Sequence, residues 1–96
     1  MAFSFHPEAD EEFLAAAQYY EECERGLGAD FMIEVYSAIQ KIIDYPTAWT
    51  CLESDVRRYL VNRFPFAILY SIESSEIFIL AIMNLHRDPD YWKHRR

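Results

Sequence analysis

The chain has 96 residues, 52% hydrophobic and 17% aromatic, with a formal charge of -7. That is enough for one domain around one small core, and no apolar run reaches the roughly 20 residues of a membrane helix. Residues 1–55 hold twelve acidic and two basic side chains, a balance of -10, whereas residues 56–96 hold four acidic and seven basic, a balance of +3. This makes a poor general binder of nucleic acid, because phosphate neutralisation supplies most of that affinity; a local basic patch could still act, but no direct binding to free DNA is expected.

The N-terminus, MAFSFHPEADEE, turns acidic at once and is not a secretory signal. Phe3-Ser4-Phe5 alternates apolar and polar and predicts a short strand. His6 then stands at a helix N-cap with Pro7 at the first helical position, where its missing N–H costs nothing. Glu8, Asp10, Glu11 and Glu12 suit the positive end of the helix dipole. Ala9, Phe13, Ala16, Ala17 and Tyr20 trace one apolar stripe at helical spacing. Gly26 and Gly28 are expected to end this helix.

A second helix is expected from about Ala29 or Asp30, with Phe31, Met32, Val35, Ile39, Ile42 and Ile43 as its apolar stripe. Asp44-Tyr45-Pro46 stops it. The short glycine link makes the two helices an antiparallel hairpin. Residues 47–55, with Trp49, read as a loop.

Three consecutive strands follow, at 56–64, 66–72 and 77–83. In the first, Arg58, Leu60, Asn62 and Phe64 alternate with Arg57, Tyr59, Val61 and Arg63. Pro65 has no N–H for a ladder and marks a strand end or bulge. The last strand, IFILAIM, is apolar on both faces, which is the pattern of a strand covered on both sides. Two helices cover only one face of a small sheet. The surplus apolar face is therefore read as the seat of a partner chain, in preference to the alternative that residues 90–96 fold back over it. The whole is an α+β fold: an N-terminal strand and a helical hairpin packed on one face of a small antiparallel sheet (β-α-α-β-β-β), with a short C-terminal helix or tail. It forms a single domain over 1–96.

Cys23 and Cys51 make no CxxC pair and read as two reduced, partly buried thiols of a cytoplasmic protein, with no bridge between them. His6, His86 and His94 lack metal-ligand spacing, so no metal is expected; no cofactor motif is present either. The cluster of chemical interest is Arg58, Arg63, His86, Arg87 and Tyr91. Arginines hold phosphate well, an imidazole titrates near neutrality and a tyrosine ring stacks on a base. The plainer reading of each is structural: solvated or ion-paired arginines, a strand-end histidine, and core or interface aromatics.

The ordered set of a strand, the acidic helix HPEADEEFLAAAQYYEE, a GLG link, a second helix, VRRYLVNRFPFAILY and an apolar strand ending LHRDPDYW resembles the RelE/ParE superfamily of type II toxin–antitoxin toxins. It is most similar to the ParE-like, plasmid-stabilisation branch. The resemblance implies a bacterial growth-inhibiting toxin that binds DNA gyrase or a related topoisomerase and is neutralised by a cognate antitoxin. Phe66, Ile68, Ile77, Ile79, Met83 and Trp92 are then the expected antitoxin contacts. The alternatives are a RelE-like, ribosome-dependent mRNA endoribonuclease using Arg58, Arg63, His86, Arg87 and Tyr91, or a degenerate toxin that keeps only antitoxin binding. Arg63-Phe64-Pro65-Phe66 stands where ribonuclease members often carry a Glu–Arg type pair, and the net charge is acidic. Both features weigh toward binding rather than catalysis.

Overall fold

In this computed structural model, which describes residues 1–95, the chain runs β1 (Phe3–Phe5), α1 (Pro7–Cys23), α2 (Leu27–Asp44), β2 (Thr50–Glu53), β3 (Val56–Leu60), β4 (Phe66–Glu73) and β5 (Glu76–Asn84). A 3-10 turn at Lys93–Arg95 follows. The strands form one sheet in the order β1-β5-β4-β3-β2. β2 to β5 are an antiparallel meander, and β1 joins β5 in parallel, with Phe3 opposite Ile77 and Phe5 opposite Ile79. The fold is α+β, as the sequence predicts. A parallel neighbour needs a long connection, and the helical hairpin is part of the one between β1 and β5.

The start of α1 follows the sequence closely. His6 is the N-cap and its Nδ1 accepts from the Glu8 N–H at 3.0 Å, with Pro7 in the first turn. The hairpin differs. α1 ends at Cys23 and α2 already begins at Leu27, so Gly28 lies inside the second helix. Gly26 supplies the reversal, with φ +89°. Gly28 instead lets the helices touch: a Cβ there would meet the Ala17 carbonyl oxygen at 2.5 Å. Glu21 of α1 accepts from the backbone N–H groups of Gly26 and Gly28, satisfying donors that the first turn of α2 leaves free.

Two further expectations are corrected. The stretch read as a loop contains β2, whose residues are all exposed. Its pairing with Arg57 and Arg58, rather than a buried face, makes it a strand. β3 ends at Leu60, not Phe64. Arg63 has φ +70°, and the Phe66 N–H donates to the Phe64 carbonyl at 2.8 Å, so the chain turns there. Val61 and Phe64, which strict alternation puts on opposite faces, both join the helix-side core as a result.

That core contains Phe13, Phe31, Val35, Ile39, Ile68 and Ile79 among others, and lies between the hairpin and one sheet face. The opposite face is the larger correction. It is not left for a partner: Trp92, 1% exposed, packs there with Val56, Ala67, Leu69, Leu80, Ala81 and Met83. The segment after β5 therefore returns across the sheet, as in the fold-back alternative; Arg96, the end of that segment, lies outside the described residues. The Trp92 Nε1–H donates to the Pro89 carbonyl at 2.6 Å, so the indole is buried with its polar atom satisfied.

A bulge in β5 fits this two-sided burial. Leu69 opposes Ala81 and Tyr70 opposes Ile79, which leaves Leu80 with no residue opposite it. Leu80 and Ala81 consequently both face Trp92, while Ile79 and Ile82 both face the helices.

Candidate functional site

The returning strap, residues 85–95, is held by a charged cluster centred on Glu12 of α1. β1 covers β5 only along residues 77–79; beyond that, the outer edge of β5 faces α1 and the strap. The Glu12 carboxylate accepts from the Ile82 backbone N–H at 3.0 Å. It also accepts from both Arg95 terminal nitrogens at 2.9 Å and from the Tyr91 hydroxyl. Arg95 Nη1 donates to the Leu80 carbonyl at 3.0 Å, and its Nε donates to Glu8 at 3.0 Å. The Arg95 side chain is only 4% exposed. Arg87 lies over the Tyr91 ring at 3.8 Å and 3.7 Å from Glu12, and Arg95 covers the same ring at 4.9 Å.

These contacts set the chemistry of the cluster. Burial first, and then the bond to Glu12, push the Tyr91 hydroxyl well above its ordinary value of 10.0. The phenol therefore stays protonated near neutrality and donates to Glu12. Hydrogen bonding to Glu12 is the main cause that holds Arg95 above its ordinary value. Every oxygen of Glu12 is taken by donors. The arrangement is a lock between strap and hairpin, with the outer part of Arg87 left in solvent.

Of the five residues proposed for phosphate chemistry, the structure brings Arg87 and Tyr91 together. His86 follows β5 and is exposed, with its backbone N–H on Asn84 Oδ1 at 2.9 Å. Arg58 is two strands away on β3, lining a separate hollow with Trp49, Thr50, Tyr59 and Leu60. Arg63 reaches α2, with Asp30 at 3.5 Å and Glu34 at 3.9 Å. Among the described residues no group of His, Cys, Asp and Glu is arranged to hold a metal ion. Cys23 and Cys51 are free and both exposed, not partly buried.

The six residues expected to meet an antitoxin are all buried: Phe66, Ile68, Ile77 and Ile79 on the helix side, Met83 and Trp92 on the strap side. The open apolar surface lies elsewhere. A groove of about 330 Å³ runs between α1 and the far end of β5, floored by Ala15, Ala16, Phe66 and Ile82 and bordered by Tyr19 and Arg87. Sequence reasoning missed Glu12, Arg95 and this groove. Two signals were available: Glu8 and Glu12 are one helical turn apart, and the acidic first half faces a basic tail.

No protein-family model matches the chain, and no curated protein matches it either. Among solved structures it is similar to a chain of the "Chromosomal ParDE TA system from P. aeruginosa", at 16% identity with a TM-score of 0.63. The match covers 90% of this chain and 97% of that one, so the two share one fold over nearly their whole length.

Proposed function

We propose that this protein is the toxin of a type II toxin–antitoxin pair, ParE-like, that acts in the cytoplasm by binding DNA gyrase or a related topoisomerase and is neutralised by a cognate antitoxin. The observation that carries the reading is the fold shared almost end to end with a chain of a ParDE system. The ordered motif from the acidic first helix to LHRDPDYW, resembling the same superfamily, adds to it. Binding rather than catalysis is favoured by the separation of Arg58 and Arg63 from Arg87 and Tyr91. A phosphoryl-transfer site needs its acting groups in one small volume.

The antitoxin contact is placed in the groove beside α1, not on the buried sheet face. The groove is open and apolar, Tyr19 is 61% exposed at its border, and Phe66 forms part of its floor. A partner side chain entering there removes apolar area from water. Arg87 stacked on Tyr91 favours the RelE-like alternative, since a guanidinium on an aromatic ring can bind a phosphate or base.

The test is expression in a bacterial host, alone and together with any small reading frame found beside its gene. Growth should arrest with the chain alone and recover when the two are expressed together. Ala15→Trp, an exposed position of α1 that lines the groove, should leave the arrest intact and prevent recovery. Unimpaired growth with the soluble folded chain alone would contradict a toxin, and recovery despite Ala15→Trp would move the antitoxin contact elsewhere.

A further inference from the structure

The outer edge of β5 beyond β1 presents the Ile82 N–H and the Leu80 carbonyl away from β4. Neither meets another strand. The Ile82 N–H is taken by Glu12 and the Leu80 carbonyl by Arg95, which are themselves joined through two 2.9 Å contacts. A carboxylate thus stands where a neighbouring strand would place a carbonyl, and a guanidinium stands where it would place an N–H.

The two backbone groups are also complementary to themselves. In an antiparallel pair, the N–H one residue after a central position bonds the carbonyl one residue before the opposite position. With Ala81 at a two-fold axis, the Ile82 N–H of one copy would meet the Leu80 carbonyl of the other, and the reverse. A small residue would sit at the axis. An exposed edge of this kind, in a strand apolar on both faces, is a template for edge-to-edge pairing.

We propose that Glu12 and Arg95 form a plug that closes the free edge of β5 against antiparallel pairing with a second copy of this chain. The plug spans α1 and the strap, so it ties the closure of the edge to the seating of the strap through Tyr91, which donates to the same carboxylate. The surrounding charges act in the same direction: Glu8 accepts from Arg95 Nε at 3.0 Å, and Arg87 stands 3.7 Å from Glu12. The proposal is independent of the toxin reading, since it concerns the chain's own edge.

The test combines amide hydrogen exchange by NMR with solution mass by light scattering, on the full chain and on the double variant Glu12→Met/Arg95→Met, which keeps unbranched side chains but removes both the carboxylate and the guanidinium from the edge. The wild-type chain should be monomeric, with the Ile82 amide protected. In the variant, exchange at Ile82 should accelerate at least about tenfold in dilute solution, a loss of about 1.4 kcal/mol of local protection, while the Ile68 amide on β4 keeps its rate. A concentration-dependent dimer should form, and Ile82 protection should return with dimerisation. An unchanged Ile82 rate, or an opened edge in a chain that stays monomeric at NMR concentrations, would overturn the proposal. Should the double variant fail to fold, Glu12→Ala decides, since it removes the carboxylate that takes the Ile82 N–H and holds Arg95. The same rise at Ile82 and the same dimer are then required.

Discussion

Arg57 and Tyr70 face each other across β3 and β4, and both hold the loop that brings the chain from α2 to the sheet. The Tyr70 hydroxyl donates to the Pro46 carbonyl at 2.6 Å, and Arg57 Nη1 donates to the carbonyls of Trp49 and Thr47 at 2.8 and 3.2 Å. Tyr70→Phe leaves the Pro46 carbonyl without this donor and should cost about 1–3 kcal/mol. Because the two side chains fasten one loop, Tyr70→Phe and Arg57→Ala should not be additive in urea unfolding. A double-mutant coupling below about 0.5 kcal/mol would show that the two contacts act separately.

Stability should fall at alkaline pH, and two tyrosines fix the direction. Burial pushes Tyr70 up to about 12 against the opposing effect of Arg57, and burial and Glu12 raise Tyr91 as well. In the unfolded chain both phenols release protons near their ordinary 10.0. Above that pH the folded state holds more protons than the unfolded one, so folding weakens as pH rises. Their contribution is complete below pH 10 and is lost progressively as pH rises toward the folded values. The pH dependence of unfolding should therefore steepen above pH 10. Tyr70→Phe and Tyr91→Phe should each flatten it, whatever they do to stability at pH 7.

Trp92→Ala should be the most damaging change outside the helix-side core. It empties the centre of the strap-side cluster, where large-to-small changes at buried aromatics cost about 3–5 kcal/mol. The expected readout is a drop in the urea midpoint together with binding of a hydrophobic dye to the uncovered sheet face. Loss of stability near zero without dye binding would mean that the strap does not cover that face in solution.

The parts of this fold that were legible in the sequence are those written in neighbouring residues. His6-Pro7 with its acidic first turn located the start of α1, and the apolar stripes located both helices. IFILAIM was correctly legible as a strand covered on both sides, and Trp92 shows what the pattern alone did not: the cover belongs to the same chain. β2 carried no signal because its residues are exposed and only pairing defines it. The Leu80 bulge depends on the register with β4, and Glu12 meets Arg95 across 83 positions. Neither relationship has a local signature. Arg58, Arg63, His86, Arg87 and Tyr91 were legible as residue types suited to phosphate, but their separation is a property of strand order and of the turn at Arg63.

The proposed mode of action, binding a topoisomerase without cutting mRNA, is tested most directly by two assays run side by side on the same purified protein: supercoiling of relaxed plasmid by gyrase, and cleavage of ribosome-bound mRNA. The expected result is dose-dependent loss of supercoiling with mRNA left intact, and mRNA equally intact with His86→Ala. Cleaved ribosome-bound mRNA with supercoiling unaffected, and loss of that cleavage in His86→Ala, would contradict it.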